Sequence, residues 1–100
     1  MVGLRSLALL RYDPEAAANF LAQAEQGDVN AQYAMGLIYA EGRGVAQDEA
    51  KAFYWLTRAV EQGDEDADLL RQVISSTMTK AQFDMADHLF HVYKKQSVNN

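Results

Sequence analysis

A self-repeat with an offset of 36 residues restricts the possible folds of this chain more than any other feature. The four residues Glu-Gln-Gly-Asp at 25–28 recur at 61–64, and in the same register Ala31 matches Ala67. Self-similarity at a period of about 20–50 residues is typical of solenoid repeats, and near this period the unit is usually a pair of helices. The repeat therefore predicts a stack of helix pairs.

Local signals predict helices along the whole chain. In each copy of the repeat, the glycine is a candidate left-handed helix stop and the aspartate after it can cap the next helix. Asp13 followed by Pro14 predicts the start of a first helix, and Thr79 with Gln82 forms a capping box for a last one. No segment alternates polar and apolar residues for long enough to form a strand. The chain is therefore predicted to be all-α.

Gly36 lies inside the predicted second helix and requires an explanation. Glycine in a helix interior costs about 1 kcal/mol relative to alanine. We attribute Gly36 to the close approach of a neighbouring backbone, with the large side chains of Tyr33, Tyr39, Phe53 and Trp55 filling the gaps between small-residue contacts. Trp55 in particular is expected to be buried between helices.

The pattern of residues 31–45 and of the helix that follows resembles the Sel-one-like repeat, a family of tetratricopeptide-like helical repeats. The matching positions of the second half are Asp48, Lys51, Ala52, Trp55, Ala59, Glu61, Gln62, Gly63, Asp64 and Ala67. The chain departs from the usual pattern at Ala46, where proline is common, and at Val60, where alanine is usual.

The resemblance implies one domain over residues 1–100, with one complete repeat at 28–63. Residues 14–27 resemble the second helix of a preceding partial repeat, and residues 64–76 the first helix of a following one, with Gln72 in place of the helix glycine. Residues 78–95 resemble the terminal helix that often closes such proteins. The implied fold is a short α/α solenoid of antiparallel helix pairs with a C-terminal closing helix.

The same resemblance implies a function. The family mostly scaffolds protein complexes, often in bacterial signalling and host-interaction systems, so we expect a non-catalytic module that binds a protein or peptide and needs no cofactor. Some relatives with disulfide-linked helix pairs have been linked to β-lactam chemistry. This chain contains no cysteine, so that activity is not carried over.

Candidate binding residues come from the helix predicted at 29–41. Asn30, Ala34, Leu37 and Glu41 project within an arc of roughly 60° at 100° per residue. By analogy with related repeats they would line the concave face, with Tyr33 at its edge. The alternative is that these are ordinary solvent-exposed positions. The opposite side of this helix is expected to lie in the core, and its residues are Ala31, Met35, Ile38 and Tyr39.

A self-associating structural protein is the alternative function. The predicted last helix has a wider apolar arc than the roughly 100° stripe that one neighbouring helix pair covers. Contiguous apolar surface on a small protein usually marks an interface. We therefore predict a possible homodimer through residues 79–95, with Phe83 and Phe90 as the principal contacts. The apolar residues Leu4, Leu7 and Leu10 could cover the arc instead.

Other chemistry has weaker support. In the last helix, Asp84, Asp87, His88 and His91 share one face at a spacing that could bind a divalent metal. We interpret them as the solvated side of an amphipathic helix, because no second element supplies a ligand motif. The hydroxyl cluster at 75–77 lies at a helix end, where such residues are favoured for hydrogen bonding alone. We therefore predict neither a metal site nor an active site.

Charge and hydropathy limit the partners. The chain has 14 acidic and 9 basic residues and a formal net charge of −5, which disfavours nucleic acid because the phosphate backbone is also negative. No stretch approaches the about 18 apolar residues of a membrane-spanning helix. The short apolar run after Arg5 does not predict a signal peptide. We expect a cytoplasmic protein that binds neither nucleic acid nor membrane, with a periplasmic or secreted location left open.

Overall fold

The computed structural model describes the backbone of residues 14–98 and the side chains of residues 14–93. Over that part of the chain it contains five α-helices and no strand, as predicted. The helices are α1 (Pro14–Glu25), α2 (Val29–Glu41), α3 (Glu49–Glu61), α4 (Glu65–Ser75) and α5 (Lys80–Val98). The predicted cap at Asp13 and the apolar residues Leu4, Leu7 and Leu10 lie outside the described residues.

Helix boundaries follow the predicted caps. The side chain of Asp28 accepts a hydrogen bond from the backbone N–H of Ala31 at 3.0 Å, and that of Asp64 accepts one from Ala67 at 3.1 Å. These bonds satisfy backbone donors that a helix leaves free in its first turn. Asp48 caps α3 in the same way. The same device therefore starts three successive helices.

The ends of two helices confirm the remaining local predictions. Gly27 and Gly63 have positive φ angles of 103° and 93°, a conformation that glycine adopts without the steric cost of a Cβ atom. The capping box at the start of α5 also forms. Thr79 accepts from the backbone of Gln82 at 3.2 Å, and Gln82 accepts from the backbone of Thr79 at 2.8 Å.

Helices α2 and α3 form an antiparallel pair at the centre of the molecule. The backbone N–H of Asp48, before α3, donates to the carbonyl of Tyr39 near the end of α2 at 2.9 Å. At the other end, the Nε2 atom of Gln62 donates to Oε1 of Gln32, in the first part of α2, at 2.9 Å. Each end of one helix is thus tied to the opposite end of the other.

The other helices pack around this pair. Helix α2 packs against α1 and α3 and, less extensively, against α4, whereas α3 packs against α2, α4 and α5. The all-α solenoid of adjacent packed helices is therefore confirmed. Helix α5 closes the stack from the α3 side.

Trp55 lies where α5 meets this stack. Its side chain is 2% exposed and belongs to an apolar cluster with residues of α1, α2 and α5. The ring of Tyr93 in α5 lies 5.8 Å from the Trp55 ring and 4.9 Å from the Tyr54 ring. Phe90 packs on Tyr54 with 4.8 Å between centroids. The predicted burial of Trp55 is confirmed.

Gly36 is a point of close approach, although the neighbour differs from the one expected. A Cβ atom at Gly36 would lie 2.4 Å from Cδ2 and 2.5 Å from Cγ of Leu56. We had expected a neighbouring backbone at this position. The group that approaches Gly36 is instead a side chain of α3. Leu56 is fully buried because it fills the notch that the missing Cβ leaves in α2.

Replacing Trp55 with alanine should remove the side chain that joins the α2–α3 pair to α5. Large-to-small substitutions of a buried tryptophan cost about 3–5 kcal/mol, a large part of the about 5–15 kcal/mol that holds a domain folded. Urea unfolding followed by circular dichroism measures the change. Met85→Ala, at a position 52% exposed, is the matched control and should leave stability nearly unchanged. An unaltered unfolding midpoint for Trp55→Ala would contradict the assignment.

Gly36→Ala should destabilise the protein by about 1–3 kcal/mol, because the new methyl group overlaps Leu56. Gly36→Leu should be worse. The decisive measurement is the same Gly36→Ala change in a Leu56→Ala background. With the overlapping side chain removed, alanine should instead stabilise the helix, by about 1 kcal/mol through its higher propensity. Destabilisation of equal size in both backgrounds would show that Leu56 is not the cause.

Candidate protein-binding surface

The residues predicted to line the concave face of α2 do not all lie at the surface. Asn30 and Glu41 are exposed, but Tyr33, Ala34 and Leu37 are only 1%, 6% and 6% exposed. The predicted exposure of these three side chains is wrong. Whether Asn30 and Glu41 contact a partner stays a prediction.

The burial has a physical reason. Tyr33 and Leu37 belong to an apolar cluster with residues of α3 and α4, which are Ala52, Leu56, Ala59, Ala67 and Ile74. Every residue of α2 from 31 to 38 is buried, including the polar Gln32. A helix that is apolar on all sides is usually enclosed by others. That signal was present in the sequence, and it outweighs the assignment of one face to solvent.

Polar groups from the two copies of the repeat meet at one edge of the molecule. Gln62 donates through Nε2 to the carbonyl of Gly27 and to the side chain of Gln32, each at 2.9 Å. The side chain of Gln32 in turn donates to the carbonyl of Ala24 at 3.2 Å. The network joins the second Glu-Gln-Gly-Asp turn to the first. Sequence reasoning identified the repeated turns but not this contact between them.

A shallow, open groove lies beside this network. It is lined by Val29 at the start of α2 and by residues 62–66, which lead into α4. Glu65, Asp66 and Asp68 make the first turn of α4 strongly acidic, and the last turn of α4 has no basic residue. Arg71, in the middle of α4, pairs with Asp68 at 3.1 Å. The groove is thus negatively charged.

The outer face of α4, defined here as Leu69, Gln72 and Val73, combines exposure with apolar character. Leu69 and Val73 are 62% and 67% exposed, and they stand four residues apart on the same side of the helix. The opposite side of α4, with Ala67 and Ile74, is buried. Among the described residues, α5 packs against α3 and leaves this outer face of α4 exposed.

The predicted self-association residues lie in different surroundings. Phe83 is 38% exposed, although its ring makes an edge contact with Phe53 at 5.5 Å. Phe90 is half-buried and packs against the central cluster. Part of its surface is therefore used in packing within the chain, and its contact with a second copy stays a prediction. Phe83 and the more exposed Met85 keep an apolar surface on α5.

Three tyrosines in and around the core stay protonated to a higher pH than usual. Burial raises the pKa of the Tyr54 phenol, although Arg58, which donates to its oxygen at 2.5 Å, acts in the opposite direction. Burial likewise raises the pKa values of Tyr39 and Tyr93, and nearby Glu25 adds to both effects. These phenols are therefore neutral near pH 7 and have a structural role in packing.

The acidic and imidazole residues of α5 lie on its solvent side. Asp84, Asp87, His88 and His91 are all exposed, and Asp84 pairs with Lys80 at 2.9 Å. Within residues 14–93, no three side chains of the kinds that bind metals lie close enough to hold an ion. None of the helices in the described part of the chain is sufficiently long and apolar to cross a membrane.

Comparison with known proteins agrees with the geometry of the α2–α3 pair. The family model of the Sel1 repeat matches residues 29–64, which run from the start of α2 to the cap of α4. These residues are a Sel1 repeat. The resemblance to this family is thereby confirmed. Sel1 repeat proteins are typically involved in protein–protein interaction.

Two curated proteins share sequence with the chain. The alginate biosynthesis protein AlgK of Azotobacter vinelandii is 31% identical over 80 residues, which are 80% of this chain and 17% of that protein. HRD3A of Arabidopsis thaliana, an ERAD-associated E3 ubiquitin-protein ligase component, is 44% identical over 43 residues, 42% of this chain and 6% of its own length. The chain thus spans less than a fifth of either relative.

The contact between the Sel1 turns can be tested with two glutamines at the same repeat position. Gln62→Ala should leave the buried Oε1 atom of Gln32 without its donor, and an unsatisfied buried polar group costs about 1–3 kcal/mol. Gln26→Ala, at the equivalent exposed position of the first turn, should change stability by less than about 0.5 kcal/mol. Chemical unfolding of both variants measures the difference, and equal effects would contradict the role of Gln62.

Proposed function

We propose that this chain is a non-catalytic module whose Sel1 repeat holds a partner protein or peptide. The observation that carries the proposal is the repeat itself at residues 29–64, since its relatives are typically interaction proteins. The name of HRD3A describes it as a component of a ligase, which supports a role in an assembly. The function of a repeat scaffold depends on its partner and not on its fold.

The charge of the chain supports a protein partner over a nucleic acid. A formal net charge of −5 and an acidic first turn of α4 would repel a phosphate backbone. The fold also supplies what protein recognition needs, namely exposed side chains on a rigid scaffold. Asn30 and Glu41 at the two ends of α2 remain candidates for such contacts. We propose no cofactor or metal for this function.

Self-association is the second candidate, and one observation favours it. Phe83 and Met85 on α5 are 38% and 52% exposed, and exposed apolar side chains of this size often mark an interface. A homodimer through α5 would cover them. Phe90 is half-buried against the central cluster, so the more exposed Phe83 and Met85 would carry more of such a contact.

Affinity capture followed by mass spectrometry separates the two candidates. The full chain is immobilised beside a Gly36→Leu control, in which the α2–α3 pair should not pack normally. We expect proteins that the native chain retains and the control does not, because recognition requires the folded repeat. A photoreactive residue at Asn30 or Glu41 then reports whether α2 lies at the contact. Recovery of the chain alone, together with a dimer in light scattering that Phe83→Asp dissociates, would support self-association instead.

A further inference from the structure

The internal repeat identifies what the outer face of α4 lacks. In the register that places Asp28 on Asp64, Leu69 corresponds to Tyr33 and Val73 to Leu37. The two residues of α2 are 1% and 6% exposed, whereas their counterparts in α4 are 62% and 67% exposed. In α2 these two positions lie in a cluster with side chains of α3 and also with Ala67 and Ile74 of α4. The helix that follows α4 packs against α3 instead. Among the helices of residues 14–98, none therefore lies against this face of α4 as α3 lies against α2.

From this correspondence we propose that the outer face of α4 binds an amphipathic, basic α-helix of a partner protein, laid antiparallel along α4 as α3 lies along α2. The inference rests on the proposed function and adds to it a surface and a kind of partner. The template is the inner side of α3, where small side chains at Ala52 and Ala59 flank Leu56 in the cluster that buries Tyr33 and Leu37.

The orientation determines where the partner's charge should lie. The end of α3 lies beside the start of α2, as the hydrogen bond between Gln62 and Gln32 shows. An antiparallel helix on α4 would likewise place its C-terminal turn beside Glu65 and Asp66. Lysine or arginine in that turn would pair with both carboxylates and would also suit the helix dipole. This charge complementarity favours a basic helix.

A second copy of the chain fits this surface less well. Helix α4 has Arg71 as its single basic residue, and Arg71 is paired with Asp68 of its own helix. Two copies would also bring together molecules that each have a formal net charge of −5. The α4 helix of a second copy therefore does not offer the positive charge that would match the acidic first turn of α4.

One difference between the two helices makes the proposal specific. Gly36 leaves the notch that Leu56 fills, but the corresponding residue of α4 is Gln72. With a side chain at this position, a leucine in the partner helix would meet Gln72 instead of a notch. We therefore expect the partner to carry a small residue where α3 carries Leu56.

Two synthetic helices test the surface directly. Each is a hydrocarbon-stapled peptide of about 14 residues, because unconstrained helices of this length are marginal in water. Both carry alanines at the spacing of Ala52 and Ala59 and two arginines in the last turn. One has leucine and the other alanine at the position of Leu56. Fluorescence anisotropy of the labelled peptides with the full chain measures binding, and amide chemical shifts locate it.

We expect the alanine peptide to bind more tightly than the leucine peptide, with shift changes centred on residues 65–76. Leu69→Asp and Val73→Asp should each weaken binding by about tenfold or more, since each places a charge in an apolar contact. Ala81→Asp, at an exposed position of α5 to which no contact is assigned, is the matched control. Gln72→Gly should reverse the preference by restoring the notch. Circular dichroism checks that each variant is folded.

Several results would overturn the proposal. No binding of either peptide up to about 1 mM would do so, and so would binding that Ala81→Asp removes and Leu69→Asp leaves intact. A dimer of the native chain that Leu69→Asp dissociates would show that a second copy occupies the surface.

Affinity capture with the Leu69→Asp variant distinguishes failure of this site from failure of the proposed function. A native partner that is captured equally by the wild-type chain and by Leu69→Asp would leave that function standing and disprove this site. Peptide binding that depends on Leu69, without any captured partner, would support the site and contradict the general function.

Discussion

The contact between Gly36 and Leu56 is the constraint on which the rest of this structure depends. Because α2 has no Cβ at Gly36, the Leu56 side chain of α3 enters the space beside the α2 backbone and is completely buried there. This contact sets how closely the central pair approaches. The same pair then provides the surfaces on which α1, α4 and α5 pack.

Two apolar clusters lie on either side of that pair and serve different purposes. One contains Trp55 and Tyr54, whose rings contact aromatic rings of α5, and it also includes residues of α1. The other contains Tyr33 and Leu56 and joins the pair to α4. The first is closed by α5. The second continues the repeat toward α4, whose own outer face no helix of residues 14–98 covers. A solenoid stabilises each unit through its neighbours, so an uncovered end is a natural place for an external helix.

Polar contacts define the register in which the units stack. The second Glu-Gln-Gly-Asp turn reaches the first through Gln62, whose amide bonds to Gly27 and to the buried Gln32. A hydrogen bond to a buried group adds only a modest net free energy, but leaving the group unsatisfied is costly. The network therefore disfavours any other alignment of the two units.

Local features were predictable from the amino-acid sequence because they depend on neighbouring residues. The helix caps at Asp28 and Asp64, the left-handed glycines and the capping box at Thr79 all involve residues within a few positions of each other. The repeat and the burial of Trp55 followed from the same kind of pattern. The sequence also indicated that something lies close to Gly36, although not which atom.

Tertiary structure alone decided which sides of the helices face solvent. A helical wheel groups Ala34 and Leu37 correctly, and the apolar character of α2 on all sides indicates an enclosed helix. The positions of α1, α3 and α4 around α2 show which neighbours bury this group. In the same way, Phe90 and Phe83 share one helix, and the path of α5 across α3 leaves the first half-buried and the second exposed. Exposure depends on contacts between residues distant in sequence, and periodicity within one helix contains no information about them.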